Sequence, residues 1–112
     1  MNRDRAVKSL AALAQGTRLE AFRQLVQAGP AGLAAGDLAE RLGISPPALS
    51  FHLRGLAQAG LVRPRQQGRF IYYTAAFDAM QSLVDFLTEN CCSGSSCAPA
   101  RVPRRNPTRR TS

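Results

Sequence analysis

Tryptophan is absent from the 112-residue chain, and it holds one histidine, two tyrosines and five phenylalanines. With so few aromatics, any core must be made mostly of leucine, alanine and valine. Uninterrupted apolar runs never exceed a few residues, so no segment is expected to span a bilayer. The start, Met1-Asn2-Arg3-Asp4-Arg5, leads into a stretch broken by Lys8, Ser9 and Gln15. It lacks the continuous apolar segment and small-residue cleavage site of a signal peptide, so a cytoplasmic protein without a membrane partner is expected. A paired acid and base, a nucleophile elbow and a phosphate-binding glycine loop are also missing, and no enzyme is expected. Acidic residues are scarce at one end in particular. Residues 91–112 carry five arginines and no acid, giving +5, whereas residues 1–90 carry ten basic and seven acidic groups, giving +3. The formal charge of +8 therefore belongs mainly to the tail, and it does not by itself argue for nucleic-acid binding by the body.

Periodicity is present where the charge argument is weak. Val7, Leu10, Ala11 and Ala14 fall on one helical face. Thr17 is placed as the next N-cap, with Glu20 at capping-box spacing, and Leu19, Phe22, Leu25 and Val26 form the stripe that follows. Gly29-Pro30 ends it. A short helix carries Asp37, Leu38, Ala39 and Leu42 and closes at Gly43. Ser45 is a favourable N-cap with Pro46 at the first helical position. The helix from 46 to about 58 buries Leu49, Leu53 and Leu56, and Gly60 stops it.

The period then changes. Residues 61–65 are extended, 66–68 form a turn, and Arg69-Phe70-Ile71-Tyr72-Tyr73-Thr74 has strand composition. These two strands make a hairpin, and Pro64 puts its strand at the sheet edge. A last helix, about 76–89, places Phe77, Met80, Leu83, Val84 and Leu87 on one face. Beyond Asn90 the chain is rich in Ser, Gly, Pro and Arg, without apolar period. Two units follow: a folded domain over 1–90 and a tail over 91–112 that carries cysteines and arginines and is expected to lack fixed order.

A short helix, a tight turn and a second amphipathic helix make a helix-turn-helix, whose second helix presents its exposed N-terminal half to the major groove of double-stranded DNA. That surface comprises Pro47, Ser50, Phe51 and Arg54, with Ser45 and the first backbone N–H groups aimed at a phosphate. The lone His52 is expected to bridge this helix and its own core, and it is counted with the DNA-binding set. Arg63, Arg65 and Arg69, with Gln66 and Gln67 near the tip, suit a hairpin that lies on the phosphate backbone or in the minor groove.

Asp37-Leu38-Ala39-Glu40-Arg41-Leu42-Gly43-Ile44-Ser45, then Leu49-Ser50-Phe51-His52-Leu53, Ala59-Gly60-Leu61-Val62, Gly68-Arg69 and Tyr72-Tyr73 resemble the ArsR/SmtB family of bacterial metal-responsive repressors. The resemblance covers about residues 5–90. It implies a mainly α (α+β) winged helix-turn-helix with a two-stranded β-hairpin wing. It further implies a homodimer paired through its first and last helices, and release from operator DNA on ligand binding. The family's arsenic motif, Cys-Val-Cys followed by Asp-Leu, is replaced by Ala34-Ala35-Gly36-Asp37-Leu38, without thiols. Its zinc-type site on the last helix would meet Asp78, Asp85 and Glu89 but no histidine.

All the cysteines, Cys91, Cys92 and Cys97, cluster just after the last helix. Zinc usually takes four ligands, so three thiolates without histidine suit it poorly. Soft thiolates select thiophilic ions, and As(III) is satisfied by three sulfurs. A vicinal pair plus a third cysteine also resembles one arsenite-responsive subgroup of the family. The expected ligand is As(III), with Sb(III) fitting the same site. A thiol redox or persulfide sensor on the same scaffold is the alternative, and a disulfide or buried thiols are the structural ones. The arginine tail is either a solvated end or an auxiliary phosphate-binding arm.

Overall fold

The computed structural model describes residues 1–94. Cys97 and the five arginines of the tail lie outside the described residues. The element order is α1 (Arg3–Leu13), α2 (Gly16–Ala28), a 3-10 turn (Gly29–Ala31), β1 (Leu33–Ala34), α3 (Ala35–Leu42), α4 (Pro46–Gln58), β2 (Val62–Gln67), β3 (Phe70–Ala75) and α5 (Phe77–Leu87). This is the winged helix-turn-helix expected from the sequence, with α3 and α4 as the helical pair and β2–β3 as the wing. Among the described residues no helix is long and apolar enough to cross a membrane.

Caps set the helix boundaries. The Asn2 side chain accepts from the Arg5 N–H at 2.8 Å and opens α1. Gln15, not Thr17, opens α2, its side chain accepting from the Arg18 N–H at 2.8 Å. A glutamine can satisfy an orphan first-turn donor as a threonine cap does, so the helix starts two residues earlier, at Gly16. Gly43 ends α3 in the left-handed conformation, and the Ile44 N–H returns to the Ala39 carbonyl at 3.1 Å. Ser45 caps α4 as expected, Oγ accepting from the Ala48 N–H at 3.3 Å, with Pro46 first in the helix. Ser45→Ala is expected to cost about 1 kcal/mol of stability, seen as a lower urea midpoint with an unchanged slope.

Leu25, Leu38, Leu49, Leu53, Leu56 and Leu61 are the largest fully buried side chains, and Phe22, Ala21, Ala39, Val62 and Ala75 complete the core. Leucines from α2, α3 and α4 therefore meet at one centre, and the aromatic-poor composition is matched by it. The hairpin pairs Val62 with Ala75 through to Gln67 with Phe70. Its turn is the two residues Gly68-Arg69, not 66–68. Gly68 opens it at φ +62°, where two-residue hairpins favour glycine. Pro64 lies on the edge strand, as expected, because the sheet order is β1-β3-β2.

β1 was not legible in the sequence. Its two residues pair Leu33 with Tyr73 and Ala34 with Tyr72, making a third strand beside the wing. The close approach depends on Gly32, at φ +73°, where a Cβ would sit 2.3 Å from the Tyr73 carbonyl oxygen. The short β1 thus ties the start of α3 to the wing.

The outer helices keep much of their apolar stripes outside the protomer's own core. The face that α1 buries is Ala6, Ser9 and Ala12, while Val7 and Leu10 stay 58% and 42% exposed. On α5, Leu83 is buried and Phe77 and Met80 pack on the core, but Val84 and Leu87 are 47% and 57% exposed. The two helices touch each other, so adjacent elements each leave large apolar side chains uncovered.

Candidate nucleic-acid interface

The exposed side of α4 carries Pro47, Ser50, Phe51 and Arg54, opposite the buried Leu49, Leu53 and Leu56. Phe51 is 58% exposed on this face. Ser45 is exposed at the N-terminus of the same helix. Five of the sequence-predicted residues are therefore brought together on one surface. His52 is half-buried and turns aside. Its Nδ1 accepts a hydrogen bond from Arg18 Nε at 3.3 Å, and its ring meets the Phe51 ring edge-on at 5.5 Å. The histidine thus links α4 to Arg18 of α2.

The wing residues separate by their partners. Strand alternation puts Arg63, Arg65 and Gln67 on one face with Thr74, Tyr72 and Phe70. Arg63, at the base, pairs with Asp78 of α5 at 3.0 Å. That guanidinium holds the Asp78 carboxyl below the usual carboxylate range, first through the hydrogen bond, and Asp78 in turn raises Arg63. Both groups are exposed, so the pair contributes little to stability. What it contributes is present above the ordinary carboxylate pKa and is lost as pH falls through the lowered one. Arg65 lies over the Tyr72 ring at 5.3 Å and donates to the Ala31 carbonyl and Gln67 Oε1, each at 3.4 Å. Arg69 occupies the exposed turn, between Gly68 and the 61%-exposed Phe70. Asp78→Asn releases Arg63 from its carboxylate. The expected result is tighter binding to mixed-sequence duplex and a salt slope steeper by up to about one contact's worth, 0.9. Titrations at several salt concentrations measure it.

Two residues absent from the sequence-level set belong to this surface. Arg18 of α2 reaches across α4, with its guanidinium 5.4 Å from the centre of the Phe51 ring. Lys8 of α1, Arg18, Phe51, Arg54, Gly55 and Gln58 line one cleft beside the recognition helix. The sequence signal for it was Gly55, a glycine in the middle of a well-formed helix.

The cysteines follow α5. The backbone turns through left-handed conformations at Asn90, Cys92 and Ser93, with φ of 58°, 55° and 56°. Cys91 and Cys92 are exposed, and their sulfurs lie 3.7 Å apart. Among the described residues, which do not include Cys97, there is no group of three or more His, Cys, Asp or Glu placed to hold a metal ion.

The capped helical pair and its arginine-bearing hairpin define a winged-helix transcriptional regulator. A family model described as a helix-turn-helix domain matches residues 13–65. The transcriptional activator HlyU of Vibrio cholerae is 31% identical over 94 residues, covering 84% of each chain. A structure of HlyU superposes with a TM-score of 0.63 and 30% identity, over 82% of this chain and 99% of that one. An ArsR-like transcriptional regulator from Rhodococcus sp. RHA1 gives a TM-score of 0.70 and 31% identity, over 81% and 83% of the two chains. A homodimeric winged helix-turn-helix DNA-binding domain from Mycobacterium bovis gives 0.64 and 28%, over 82% and 85%. A structure described as a possible transcriptional regulator for arsenical resistance gives 0.59 and 29%, over 80% and 97%. The chain spans 61% of SdpR, a Bacillus subtilis transcriptional repressor 36% identical over 55 residues, or 49% of this chain. The chain belongs to the ArsR-like family of winged helix-turn-helix transcriptional regulators, and it is a regulator rather than an enzyme.

Proposed function

We propose that the chain represses an arsenic-resistance operon in the cytoplasm and leaves its operator when As(III), or Sb(III), is bound by Cys91, Cys92 and Cys97. The observation that carries this reading is the grouping of Cys91, Cys92 and Cys97 just past α5, with no cysteine elsewhere in the chain. Three soft donors within seven residues can grip one thiophilic atom together once all are reduced, Cys97 standing five residues beyond Cys92. Similarity to a possible regulator of arsenical resistance supports the same choice.

In this reading residues 1–90 bind DNA and dimerise, and residues 91–112 form the sensing tail. Ser45, Pro47, Ser50, Phe51 and Arg54 face the major groove, with His52 supporting Phe51 from behind. Arg63, Arg65, Gln67 and Arg69 lie along the backbone and minor groove. Homodimerisation through α1 and α5 is supported by their uncovered Val7, Leu10, Val84 and Leu87, and by the homodimeric state of the Mycobacterium bovis relative. A two-fold dimer places two recognition helices about one DNA turn apart, roughly 34 Å.

The test is fluorescence anisotropy on a duplex selected by the wild-type chain from a random library, under anaerobic reducing conditions. Arsenite is expected to weaken binding by about 5–150-fold. A chain that selects no duplex refutes the DNA reading. Release by oxidant or persulfide but not by arsenite would assign the thiols to redox sensing instead. The adjacent Cys91 and Cys92 sulfurs favour that second reading too, and HlyU has been solved in a form described as reduced.

A further inference from the structure

Gly55 lies in the middle of α4 on the side facing α1 and α2. A Cβ built there would lie 2.7 Å from Arg18 Cζ and 2.8 Å from Arg18 Nη1. The guanidinium therefore occupies the place that a side chain at position 55 would take. It is held on two further sides, by Nε donating to His52 Nδ1 and by the Phe51 ring. Around it, Lys8 from α1, Arg54 and Gln58 from α4 and Ala12 and Ala59 line a cleft of about 420 Å³. Among the described residues no carboxylate comes within ion-pairing distance of Lys8, Arg18 or Arg54. Three cations from three helices thus converge on one opening without an acid to neutralise them. Such an arrangement offers a visiting anion three positive groups at one opening.

We infer that this cleft is an oxyanion site, and that its occupant is a backbone phosphate of the operator, next to the bases read by α4. The inference rests on the DNA-binding reading above. Arg54 belongs both to the exposed face of α4 and to the cleft, so a duplex seated on that face brings its phosphates to the opening. Arg18 would then have two tasks, holding the phosphate and fixing Phe51 and His52 against α4. Lys8 gives α1 a DNA contact in addition to its place in the expected dimer interface. A larger residue at position 55 would displace the Arg18 guanidinium.

The experiment measures the salt dependence of binding to the selected duplex for wild type and for Lys8→Gln, Arg18→Gln, Gly55→Ala and Arg23→Gln. Arg23 is exposed and paired with Glu20 at 3.7 Å, so its variant controls for net charge. Lys8→Gln and Arg18→Gln should each reduce the slope of log K against log salt by about 0.9. Each should also weaken binding by about tenfold, the size of one charged hydrogen bond. Gly55→Ala should weaken binding similarly while raising the thermal midpoint, because alanine is the better helix former. Arg23→Gln should leave the slope unchanged. Wild type that binds while Lys8→Gln and Arg18→Gln keep its slope overturns the cleft assignment alone. An equal fall in Arg23→Gln also overturns it, since the effect would then be one of overall charge. Wild type that selects no duplex overturns this inference together with the DNA reading. A further arm titrates inorganic phosphate without DNA and follows backbone amide shifts at Lys8, Arg18 and Arg54. Saturation at millimolar phosphate combined with unchanged DNA slopes would assign the cleft to a free anion and overturn the operator phosphate.

Discussion

Serine at any one of positions 91, 92 and 97 is expected to abolish arsenite-driven release from the operator, while each variant still shifts the duplex when arsenite is absent. The stoichiometry explains why a single change suffices. Three thiols react with arsenous acid, each thiol proton leaves with a hydroxyl as water, and three As–S bonds form. Two thiols leave the ligand weaker and still carrying a hydroxyl. The coupling at stake is about 1–3 kcal/mol between ligand and DNA, and a two-thiol site would give most of it up. X-ray absorption should find three sulfur neighbours per bound arsenic in wild type and two in Cys97→Ser. Arsenite release that persists in all three single variants would sink the three-thiol site. Cys91 and Cys92 sit beyond the end of α5, where the backbone turns left-handed.

The double variant Leu10→Glu/Val84→Glu is expected to be monomeric and to lose about 10²-fold or more in operator affinity, because linkage of two half-site readers supplies that much avidity. Within one protomer these side chains are 42% and 47% exposed, so charging them disturbs the protomer's own core little. In a dimer the same four carboxylates would be buried without partners, which is strongly unfavourable. Sedimentation equilibrium measures the first effect and anisotropy the second, with circular dichroism showing that the helices persist. A double variant that remains dimeric would remove α1 and α5 from the interface.

Where local chemistry decides an element, the sequence was readable. Ser45, Pro46 and the leucines at 49, 53 and 56 define α4 from cap to buried stripe, and the structure repeats that reading residue by residue. The hairpin was visible from its composition, but its turn lies at Gly68-Arg69, because Gln66 and Gln67 continue to pair. Polar residues are compatible with either state, and only the ladder distinguishes them. For α1 the apolar stripe was legible, but the second, small-residue face that packs inside the protomer was not. Helical periodicity marks a face that wants cover without naming what covers it, and the protomer covers Ala6, Ser9 and Ala12 instead. β1 has two residues, too few to carry any period. At the candidate site, Phe51 and Arg54 were legible because they share a helix with their buried neighbours. Arg18 was not, because its partner His52 is 34 positions away and only the fold unites them. The bond between Arg63 and Asp78 was hidden for the same reason.

β3 ends at Ala75 and α5 begins at Phe77, so a single residue, Ala76, joins them. Ala76 is completely buried, and its N–H donates to the Leu61 carbonyl at 2.8 Å. This joint has no slack. If the proposed ligand site moved α5 from its far end, no loop would be there to absorb the movement, and it would pass to the strand that forms one side of the wing. Since β1 fastens that strand to the entrance of α3, the movement would travel to both parts of the DNA-reading apparatus together. The architecture therefore suits an all-or-none release, in which groove contact and backbone contact fail in the same motion.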